Sequence, residues 1–351
     1  MSKKLVLHIG NIDKFVYPFI EFNKENANSN NHLYYFYGFD KRLDGFPDVV
    51  QCNGKGKLRN LRKFYFYLKF LNYLIKSDIV ILHSTNNKIF NFIIYMLPQK
   101  YAKKCKWIVW GGDLHNAQIY PELQKTVPEI IKRKIIPLFS SIATVSKGNF
   151  QLAMKNYGAK GRFVPCFSYP TNIPPKIESS NKINSKPNIL IGNSADPINN
   201  HEEIFNRLLK DNKVSDIGNV FCPLSYGDKK YAKHIMTLGS NLFGNKFHGL
   251  TELMPIKEYH KLLSEVDIAI FNHKRPQALG NIISLLGLGK KVYVFSGTTQ
   301  WDFFNSLNLD VLDVNEINLD DEIDVQKNKE IIYNYFSKEN LVSQLNDLYN
   351  S

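Results

Sequence analysis

Short apolar runs alternate with helical patterns along most of the chain. Because these runs lack polar alternation, they are typical of parallel strands that are covered on both faces. The apolar runs are Leu5–Ile9, Ile79–Leu82, Trp107–Trp110, Ile142–Val145, Ile189–Ile191, Val220–Phe221, Ile268–Phe271 and Val292–Phe295. The main helical patterns are Leu58–Ile75, Ile89–Leu97, Glu129–Phe139, Glu202–Leu209, Lys229–Leu238, Ile256–Leu263 and Asn281–Leu288. This alternation predicts an α/β fold.

A proline-rich segment divides the chain into two predicted domains. The 351 residues are long for one domain and sufficient for two that each bury a core. Prolines recur between residues 165 and 187, where they disfavour both helix and central strand, so this segment is predicted to be a linker. We therefore expect Rossmann-like domains at residues 1–164 and 188–326, followed by a helix within residues 327–351.

Positive charge is concentrated in the first half of the chain. The formal net charge is +13, yet residues 1–170 carry 26 Lys and Arg against 10 Asp and Glu, and the remainder carries 19 against 22. A basic domain of this kind favours an acidic partner: nucleic acid, anionic lipid head groups or a substrate that bears a pyrophosphate.

The cysteines and the N-terminal residues indicate a cytoplasmic setting. Cys52, Cys105, Cys166 and Cys222 show neither a CxxC spacing nor a Cys/His pattern, so no zinc site or disulfide framework is expected. The chain begins with a predicted strand instead of the apolar segment of a signal peptide. No run approaches the roughly 18 apolar residues of a membrane-spanning helix.

A strand, a turn of small residues and a helix start occur together at residues 188–201. The strand runs into Gly192, Asn193 and Ser194, and Asp196 follows before the next helical pattern. Small residues allow the backbone to approach a ligand, and free N–H groups at a helix start favour an anion. We interpret this segment as part of a phosphate-binding site.

A basic loop precedes another helix start in the second half. Lys274, Arg275, Gly280 and Asn281 follow a predicted strand. Since arginine suits a bidentate phosphate contact, this loop is predicted to bind the same anion. No DxD-type metal motif is evident in a suitable loop, so we expect neither a metal nor another cofactor.

Polar residues also follow a strand of the first half, where Gly111, Gly112, Asp113 and His115 come after an apolar run. Open α/β folds bind ligands at the carboxyl ends of their strands. Asp113 is therefore a candidate general base, and His115 is a candidate to orient it or to bind a phosphate. The alternative is that Asp113 only caps the following helix.

The first strand ends in a similar turn that contains Gly10 and Asp13. A small residue there permits a substrate to approach the backbone, so Gly10 and Asp13 are candidates to line a substrate-binding cleft, together with Gly111 and Gly112. An ordinary tight turn between strand and helix explains the same residues equally well.

The second half resembles the donor-binding domain of GT-B glycosyltransferases, in which two Rossmann-like domains face each other across a cleft. The block at residues 244–272 is similar to the strand, turn and helix that receive the nucleotide base in that fold. This resemblance implies that the backbone around Leu253 and Met254 lies against the base.

Two motifs in order resemble one family more specifically, the TDP-N-acetylfucosamine:lipid II N-acetylfucosaminyltransferases of bacterial surface-polysaccharide assembly. They are Trp110-Gly-Gly-Asp113-Leu and Ile189-Leu-Ile-Gly-Asn-Ser194, and the similarity extends to Asp196, Asn200-His201, Pro223 with Tyr226, the Gly280 loop and Trp301. The resemblance implies a TDP-4-acetamido-4,6-dideoxy-galactose donor and a polyprenyl-pyrophosphate-linked saccharide acceptor. A transferase with a UDP-linked donor and a sugar-nucleotide epimerase or binder remain the alternatives.

A basic, aromatic helical segment bears on the membrane. From residue 49 to residue 77 there is no acid, and the basic residues are Lys55, Lys57, Arg59, Arg62, Lys63, Lys69 and Lys76. Such a helix can lie on an anionic bilayer, which predicts a protein peripheral to the inner face of the cell membrane. A core helix with solvated lysines is the alternative. Nucleic acid is not expected, because no binding motif accompanies the charge.

Overall fold

The computed structural model of the protein describes residues 3–27, 30–54, 56–177, 186–211 and 214–351. By its internal packing the chain divides into two compact units. The first consists of Met1–Thr171 together with Lys338–Ser351, and the second consists of Asn172–Ser337.

The first unit is built on a seven-stranded parallel sheet with the strand order β3-β2-β1-β4-β5-β6-β7. Its strands are β1 (Leu5–Asn11), β2 (Asn31–Tyr37), β3 (Val49–Cys52), β4 (Ile79–His83), β5 (Cys105–Ile108), β6 (Ser141–Thr144) and β7 (Arg162–Pro165). Its helices are α1 (Val16–Asn26), α2 (Arg59–Lys76), α3 (Lys88–Met96), α4 (Gln99–Ala102), α5 (Gly112–Ile119), α6 (Val127–Ile135), α7 (Lys147–Tyr157) and α14 (Lys338–Asn350).

Helix α2 shows how the hydrophobic pattern positions these helices. Phe66, Tyr67, Phe70 and Leu74 recur at helical spacing, and all four are buried in the core that α2 shares with α3, α6 and α7. Burial of each such side chain contributes about 1.5–3 kcal/mol of transfer free energy. Asn87 then starts α3 by accepting hydrogen bonds from two backbone N–H groups of its first turn.

The second unit contains a six-stranded parallel sheet with the order β10-β9-β8-β11-β12-β13. Its strands are β8 (Ile189–Ile191), β9 (Val220–Pro223), β10 (Phe247–Leu250), β11 (Ile268–Phe271), β12 (Lys291–Val294) and β13 (Leu312–Asp313). Its helices are α8 (His201–Asp211), α9 (Lys229–Phe243), α10 (Ile256–Glu265), α11 (Leu279–Gly287), α12 (Thr299–Ser306) and α13 (Val325–Tyr335). The carboxyl ends of β8 and β11, two central neighbours, carry the loops that sequence analysis assigned to phosphate.

The segment predicted as a linker is divided between different environments. Its first part belongs to the first unit, because the chain continues from β7 through the buried side chains of Cys166 and Phe167. Residues 178–185 of the predicted linker lie outside the described residues. The compact units therefore meet in the chain at Thr171 and Asn172.

The C-terminal segment forms two helices where sequence analysis expected one. Helix α13 belongs to the second unit, and after Ser337 helix α14 returns to the first. There Leu345 and Tyr349 are buried, and the Lys106 ammonium donates to the carbonyl of Leu348 at 2.8 Å. The buried apolar side of α14 thus completes the core of the first unit.

Candidate functional site

The turn after β8 is filled by side chains of its own unit. Gly192 has a φ of 68°, and a Cβ there would lie 2.5 Å from His201 Nε2 and 2.8 Å from Asn199 Oδ1. A side chain at this position is excluded both by backbone conformation and by space. Sequence analysis attributed this glycine to close approach of a ligand, whereas the structure shows that it makes room for the Asn199 amide and the His201 ring.

Asn199 fixes the geometry of this turn. Its Oδ1 accepts the backbone N–H of Asn193 at 2.9 Å, and its Nδ2 donates to Ser194 Oγ at 3.1 Å and to the Asp196 carbonyl at 2.9 Å. Because the Asn193 N–H can only donate and the Asp196 carbonyl can only accept, the oxygen and the nitrogen of the Asn199 amide are assigned unambiguously. Asn199 was not among the residues predicted from sequence.

His273, which follows β11, is bound to the same amide. Its Nε2 lies 2.8 Å from Asn199 Oδ1, so Nε2 must carry the proton. Burial lowers the pKa of His273 to about 3, and the ring is neutral. Its Nδ1 is therefore a lone-pair acceptor, and this buried atom has no hydrogen-bond partner among the described residues.

Arg275 lies beside Asp196, and sequence analysis predicted both as site residues from separate segments of the chain. Its Nη2 donates to Asp196 Oδ2 at 3.1 Å, and both side chains are mostly buried. The Asp196 Oδ1 also accepts the backbone N–H of Ile198 at 3.1 Å. Asp196 is thus anchored to the turn after β8 and holds the guanidinium next to it.

The start of α11 completes this set of loops. Its N-cap is Ala278, which has a φ of 56° and a methyl side chain that cannot accept a hydrogen bond. The first N–H groups of a helix have no intrahelical partner, so this end, which includes Gly280, attracts an anion. Left-handed backbone at a non-glycine residue is strained by about 1–2 kcal/mol and is concentrated at functional sites.

Two tyrosines bind the amides of the remaining predicted donor residues. The Asn193 Nδ2 donates to the Tyr226 hydroxyl at 3.0 Å, and the Asn281 Nδ2 donates to the hydroxyl of the half-buried Tyr259 at 2.9 Å. Asn193 Oδ1 is buried without a hydrogen-bond partner among the described residues. The first contact links the turn after β8 to the loop after β9, and the second links the first turn of α11 to α10.

The segment between β10 and α10 is open to solvent. Leu253 exposes 81% of its side chain, and Met254 is half-buried. An apolar side chain on an exposed loop is available to a flat ligand such as a base. The structure leaves this predicted contact accessible.

In the first unit, Asp113 does not have the surroundings of the general base that sequence analysis predicted. Only 1% of the residue is exposed, and its carboxylate accepts N–H groups from Thr85 at 2.9 Å, from the Trp107 indole at 2.7 Å and from the Trp110 backbone at 2.9 Å. A carboxylate with both oxygens occupied by fixed donors is a structural anchor. It holds the end of β5 against the loop after β4.

His115 is also directed inward. It is buried on α5, and its Nε2 lies 3.1 Å from Asn149 Oδ1. Helix α5 begins at Gly112 after Gly111, whose φ of 79° requires glycine. The two glycines therefore shape the turn that carries Asp113 inward.

Of the two carboxylates that sequence analysis singled out in the first unit, Asp13 is more accessible than Asp113. It is half-buried in the loop after β1, and its Oδ1 accepts the backbone N–H of Phe15 at 2.8 Å. Burial raises the pKa of Asp13 to about 6, which suits a base that works near neutral pH. Gly10 serves the strand itself, because a Cβ there would lie 2.9 Å from the His83 carbonyl oxygen.

An aromatic cluster accompanies Asp13. The rings of Phe15 and Trp110 meet edge to face with centroids 5.6 Å apart, and the Trp110 indole N–H donates to the Tyr169 hydroxyl at 2.6 Å. Such rings offer faces to an apolar or sugar ligand. Phe15 and Tyr169 were missed from sequence because lone aromatics in loops read as core residues.

Tyr169 is hydrogen-bonded to the first of three histidines that are linked in a row. Since its oxygen accepts from the Trp110 indole, its own proton goes to His83 Nδ1, 2.7 Å away. His83 Nε2 then donates to His8 Nδ1 at 3.1 Å, and His8 Nε2 donates to His32 Nδ1 at 2.9 Å. Burial lowers the pKa of His8 and His83, so these rings are neutral, and the row of linked histidines orients Tyr169.

Two wider properties bear on the chemistry. Across the described ranges, no group of three or more His, Cys, Asp or Glu side chains is placed to hold a metal ion. No helix in the part of the chain that the structure describes is long and apolar enough to cross a membrane.

Solved structures with little sequence similarity share this fold. HepE of Anabaena, in complex with UDP and glucose, is 11% identical with a TM-score of 0.70 over 99% of each chain. Sucrose-phosphate synthase of Thermosynechococcus elongatus is 11% identical with a TM-score of 0.70, over 99% of this chain and 98% of that one. A glycosyltransferase from Rickettsia africae is 14% identical with a TM-score of 0.62, over 100% and 98%. These likenesses confirm the GT-B fold.

The sequence itself matches one family over most of its length. The sequence pattern of the 4-α-L-fucosyltransferases, glycosyltransferase group 56, aligns with residues 75–334. This range includes Trp110 and the turns after β8 and β11, which carried the resemblance, and the match confirms it. The chain is a glycosyltransferase and belongs to the 4-α-L-fucosyltransferase family, glycosyltransferase group 56.

Proposed function

We propose that this glycosyltransferase moves a 4-acetamido-4,6-dideoxy-galactose residue from a TDP donor to a polyprenyl-pyrophosphate-linked saccharide in bacterial surface-polysaccharide assembly. The family match over residues 75–334 is the observation that carries the proposal. The HepE complex with UDP supports a nucleotide-linked donor.

The second unit binds the donor in this proposal. The start of α11 and the Arg275 guanidinium contact the diphosphate, and the turn Gly192–Ser194 lies along it. The exposed Leu253 and its neighbour Met254 contact the base. Asn193 Oδ1 and His273 Nδ1 are hydrogen-bond acceptors that lack partners among the described residues, so they accept hydrogen bonds from the bound nucleotide-sugar.

The first unit binds the acceptor. We assign the base to Asp13 instead of Asp113, because Asp13 is accessible and its pKa is raised to about 6. It takes the proton of the attacking hydroxyl, while Arg275 and the α11 start stabilise the departing diphosphate. Asp113 keeps Trp110 in position. We expect transfer without a divalent metal, so a chelator should leave the rate unchanged.

A polyprenyl-linked acceptor remains in a bilayer, which places the enzyme at the inner face of the cell membrane. The charge of the first unit serves this lipid-linked, pyrophosphate-bearing partner. We propose no nucleic-acid partner.

Nucleotide binding tests the donor site. TDP, UDP and their sugars are titrated calorimetrically into the wild-type enzyme and Arg275→Ala. The substitution should weaken diphosphate binding by about 1.5–3 kcal/mol, the range for a charge-assisted contact. Asp196→Asn is the matched control, since it releases the guanidinium without removing it.

Two outcomes would change the assignment. Unchanged TDP affinity in Arg275→Ala would remove this residue from the site. Preference for UDP over TDP would replace the proposed donor with a UDP-linked sugar.

A further inference from the structure

Three neighbouring helices of the first unit expose apolar side chains. Helices α2, α3 and α6 bury one side against the same core, and α3 contacts both others, so the three lie on one face of the sheet. Their outer sides expose Leu61, Phe64, Tyr65 and Leu68 on α2, Phe92, Tyr95 and Met96 on α3, and Val127 and Ile130 on α6. We name these nine residues the α2–α3–α6 face.

The exposure of these residues exceeds what scattered surface positions explain. Phe64 is 67% exposed, Met96 is 65% exposed and Val127 is 67% exposed, one on each helix. Single exposed apolar residues are ordinary, but a group on adjacent elements marks an interaction surface. Packing within this unit accounts for the buried sides of the helices and leaves the outer sides unexplained.

Positive charge surrounds the same face. Exposed basic residues on the three helices are Arg59, Arg62, Lys69, Lys76, Lys88, Arg133 and Lys134. Between residues 49 and 112 the only acid is Asp78, and its carboxylate accepts the backbone N–H of Leu5. On α6, Glu129 pairs with the buried Lys132 at 2.7 Å, so Asp78 and Glu122, which comes just before α6, are the exposed acids among the described residues from 49 to 135.

We propose that the α2–α3–α6 face docks on an anionic lipid bilayer, with its apolar side chains at the acyl boundary and its basic side chains at the lipid phosphates. This mixture of apolar and basic groups is what an interfacial surface requires. Nucleic acid would match the charge but not Leu61, Phe64 and Met96. A second copy would present an equally basic face, and the two would repel each other.

The inference deepens the proposed function and rests on it for the biological bilayer, since the polyprenyl-linked acceptor lies there. It extends the predicted membrane contact from one helix to three. The apolar contribution of α3 and α6 was not visible in the sequence, because their outer residues read there as ordinary amphipathic positions.

Vesicle co-sedimentation tests the docking. The full chain is mixed with phosphatidylglycerol-containing vesicles or with pure phosphatidylcholine vesicles, at low and high salt. A charge variant carries Arg59→Gln, Arg62→Gln and Lys69→Gln. Because each basic residue contributes about a fivefold factor, this variant should bind anionic vesicles on the order of 100-fold more weakly and depend less steeply on salt.

An apolar variant and a matched control complete the design. Phe64→Ser with Leu68→Ser should lower binding to both vesicle types and leave the preference for anionic lipid. Lys229→Gln, Lys230→Gln and Lys233→Gln remove three exposed charges from α9 of the second unit, so this control should bind vesicles like the wild type. Melting temperatures and TDP titration on every variant establish that the fold and the donor site are intact.

The outcomes separate this inference from the proposed function. Vesicle binding that ignores both the charge and the apolar variants would overturn the docking face, even if TDP binds. A wild-type dimer that dissociates in the apolar variant, with no vesicle binding, would overturn it in favour of contact between copies. If vesicles bind as expected but no nucleotide binds, the face stands and the proposed transferase function fails.

Discussion

At the scale of single residues, two aspartates of the first unit illustrate how surroundings decide the role of a carboxylate. Asp113 accepts three N–H groups and is excluded from solvent. The Asp13 carboxylate accepts the backbone N–H of Phe15 and remains partly exposed. Saturated hydrogen bonding in the interior favours an anchor, whereas a partly buried carboxylate that reaches solvent can take up a proton.

The raised pKa of Asp13 predicts a pH dependence. Burial stabilises the neutral acid, so the contribution of Asp13 to folding is greatest below its ordinary pKa of 3.8 and is lost as the pH rises through about 6. As a base, Asp13 must be ionised, so kcat/KM should fall below about pH 6. Asp13→Asn should lower transfer by about 10² or more and raise stability at pH 8 by about 1–3 kcal/mol.

Asp113→Asn is the matched control for that measurement. An amide cannot accept all three N–H groups, so this variant should lose about 1–3 kcal/mol of unfolding free energy. If the pH profile of Asp13→Asn equals that of the wild type, Asp13 is not the base. If Asp113→Asn melts normally but transfers no sugar, the catalytic role returns to Asp113.

His273 allows the donor contact to be separated from its structural contact. Glutamine can donate to Asn199 as Nε2 does but has no acceptor at the position of Nδ1. His273→Gln should therefore keep TDP affinity within about twofold and lower affinity for the intact TDP-sugar about tenfold, as one hydrogen bond contributes. His273→Asn, which keeps an acceptor near Nδ1, is the control. Equal affinity of the glutamine variant and the wild type for the intact sugar donor would show a purely structural histidine.

At the scale of elements, continuous apolar runs and a clear helical spacing predicted the structure correctly. Strands β8 and β11 have the predicted bounds, and α2 matches its prediction within one residue at each end. Strands β2 and β3 were missed because their aromatic and polar residues do not form a continuous aliphatic run. Strand β2 is nevertheless paired along its full length with β1, so tertiary pairing decides its structure.

Helix α14 supports a prediction about the stability of the first unit. Leu341, Leu345, Leu348 and Tyr349 are buried, and each contributes about 1.5–3 kcal/mol of transfer free energy. Truncation after Ser337 should therefore remove about 6–12 kcal/mol and unfold that unit. Limited proteolysis and thermal denaturation measure this, and a truncated chain with a normal melting temperature would contradict the assignment.

Tertiary contacts, which decide the structure of β2, also limited the prediction of the site from sequence. Residues in the loops after strands were identified correctly as polar and small, because composition there is distinctive. Their roles were not, since the Asp113 carboxylate is bound by the backbone of Thr85 in the loop after β4, and Gly192 makes room for the side chains of Asn199 and His201 that fold back onto it. Orientation of a side chain depends on such long-range contacts, and a single sequence does not specify them.

At the scale of the whole molecule, each unit carries a different part of the proposed reaction. In the proposal, the second unit meets the nucleotide-sugar with a helix start and with acceptor atoms that have no partner among the described residues, and the first unit offers the Asp13 carboxylate to the saccharide. The excess positive charge lies in the half of the chain that forms most of the first unit. This distribution fits a lipid-linked, pyrophosphate-bearing acceptor at an anionic surface on the first unit, whereas the proposed donor site relies on local groups such as Arg275 and the start of α11.

The central claim is tested most directly by following sugar transfer itself. The enzyme is incubated with a polyprenyl-pyrophosphate-linked saccharide and TDP-4-acetamido-4,6-dideoxy-galactose in the presence of a chelator. The mass of the lipid-linked product is then measured by mass spectrometry. We predict the addition of one acetamido-dideoxy-hexose with release of TDP, at a rate that is lower by about 10² or more in Asp13→Asn. Donor binding without any gain of mass on the acceptor, with the other nucleotide-sugars failing as well, would contradict it.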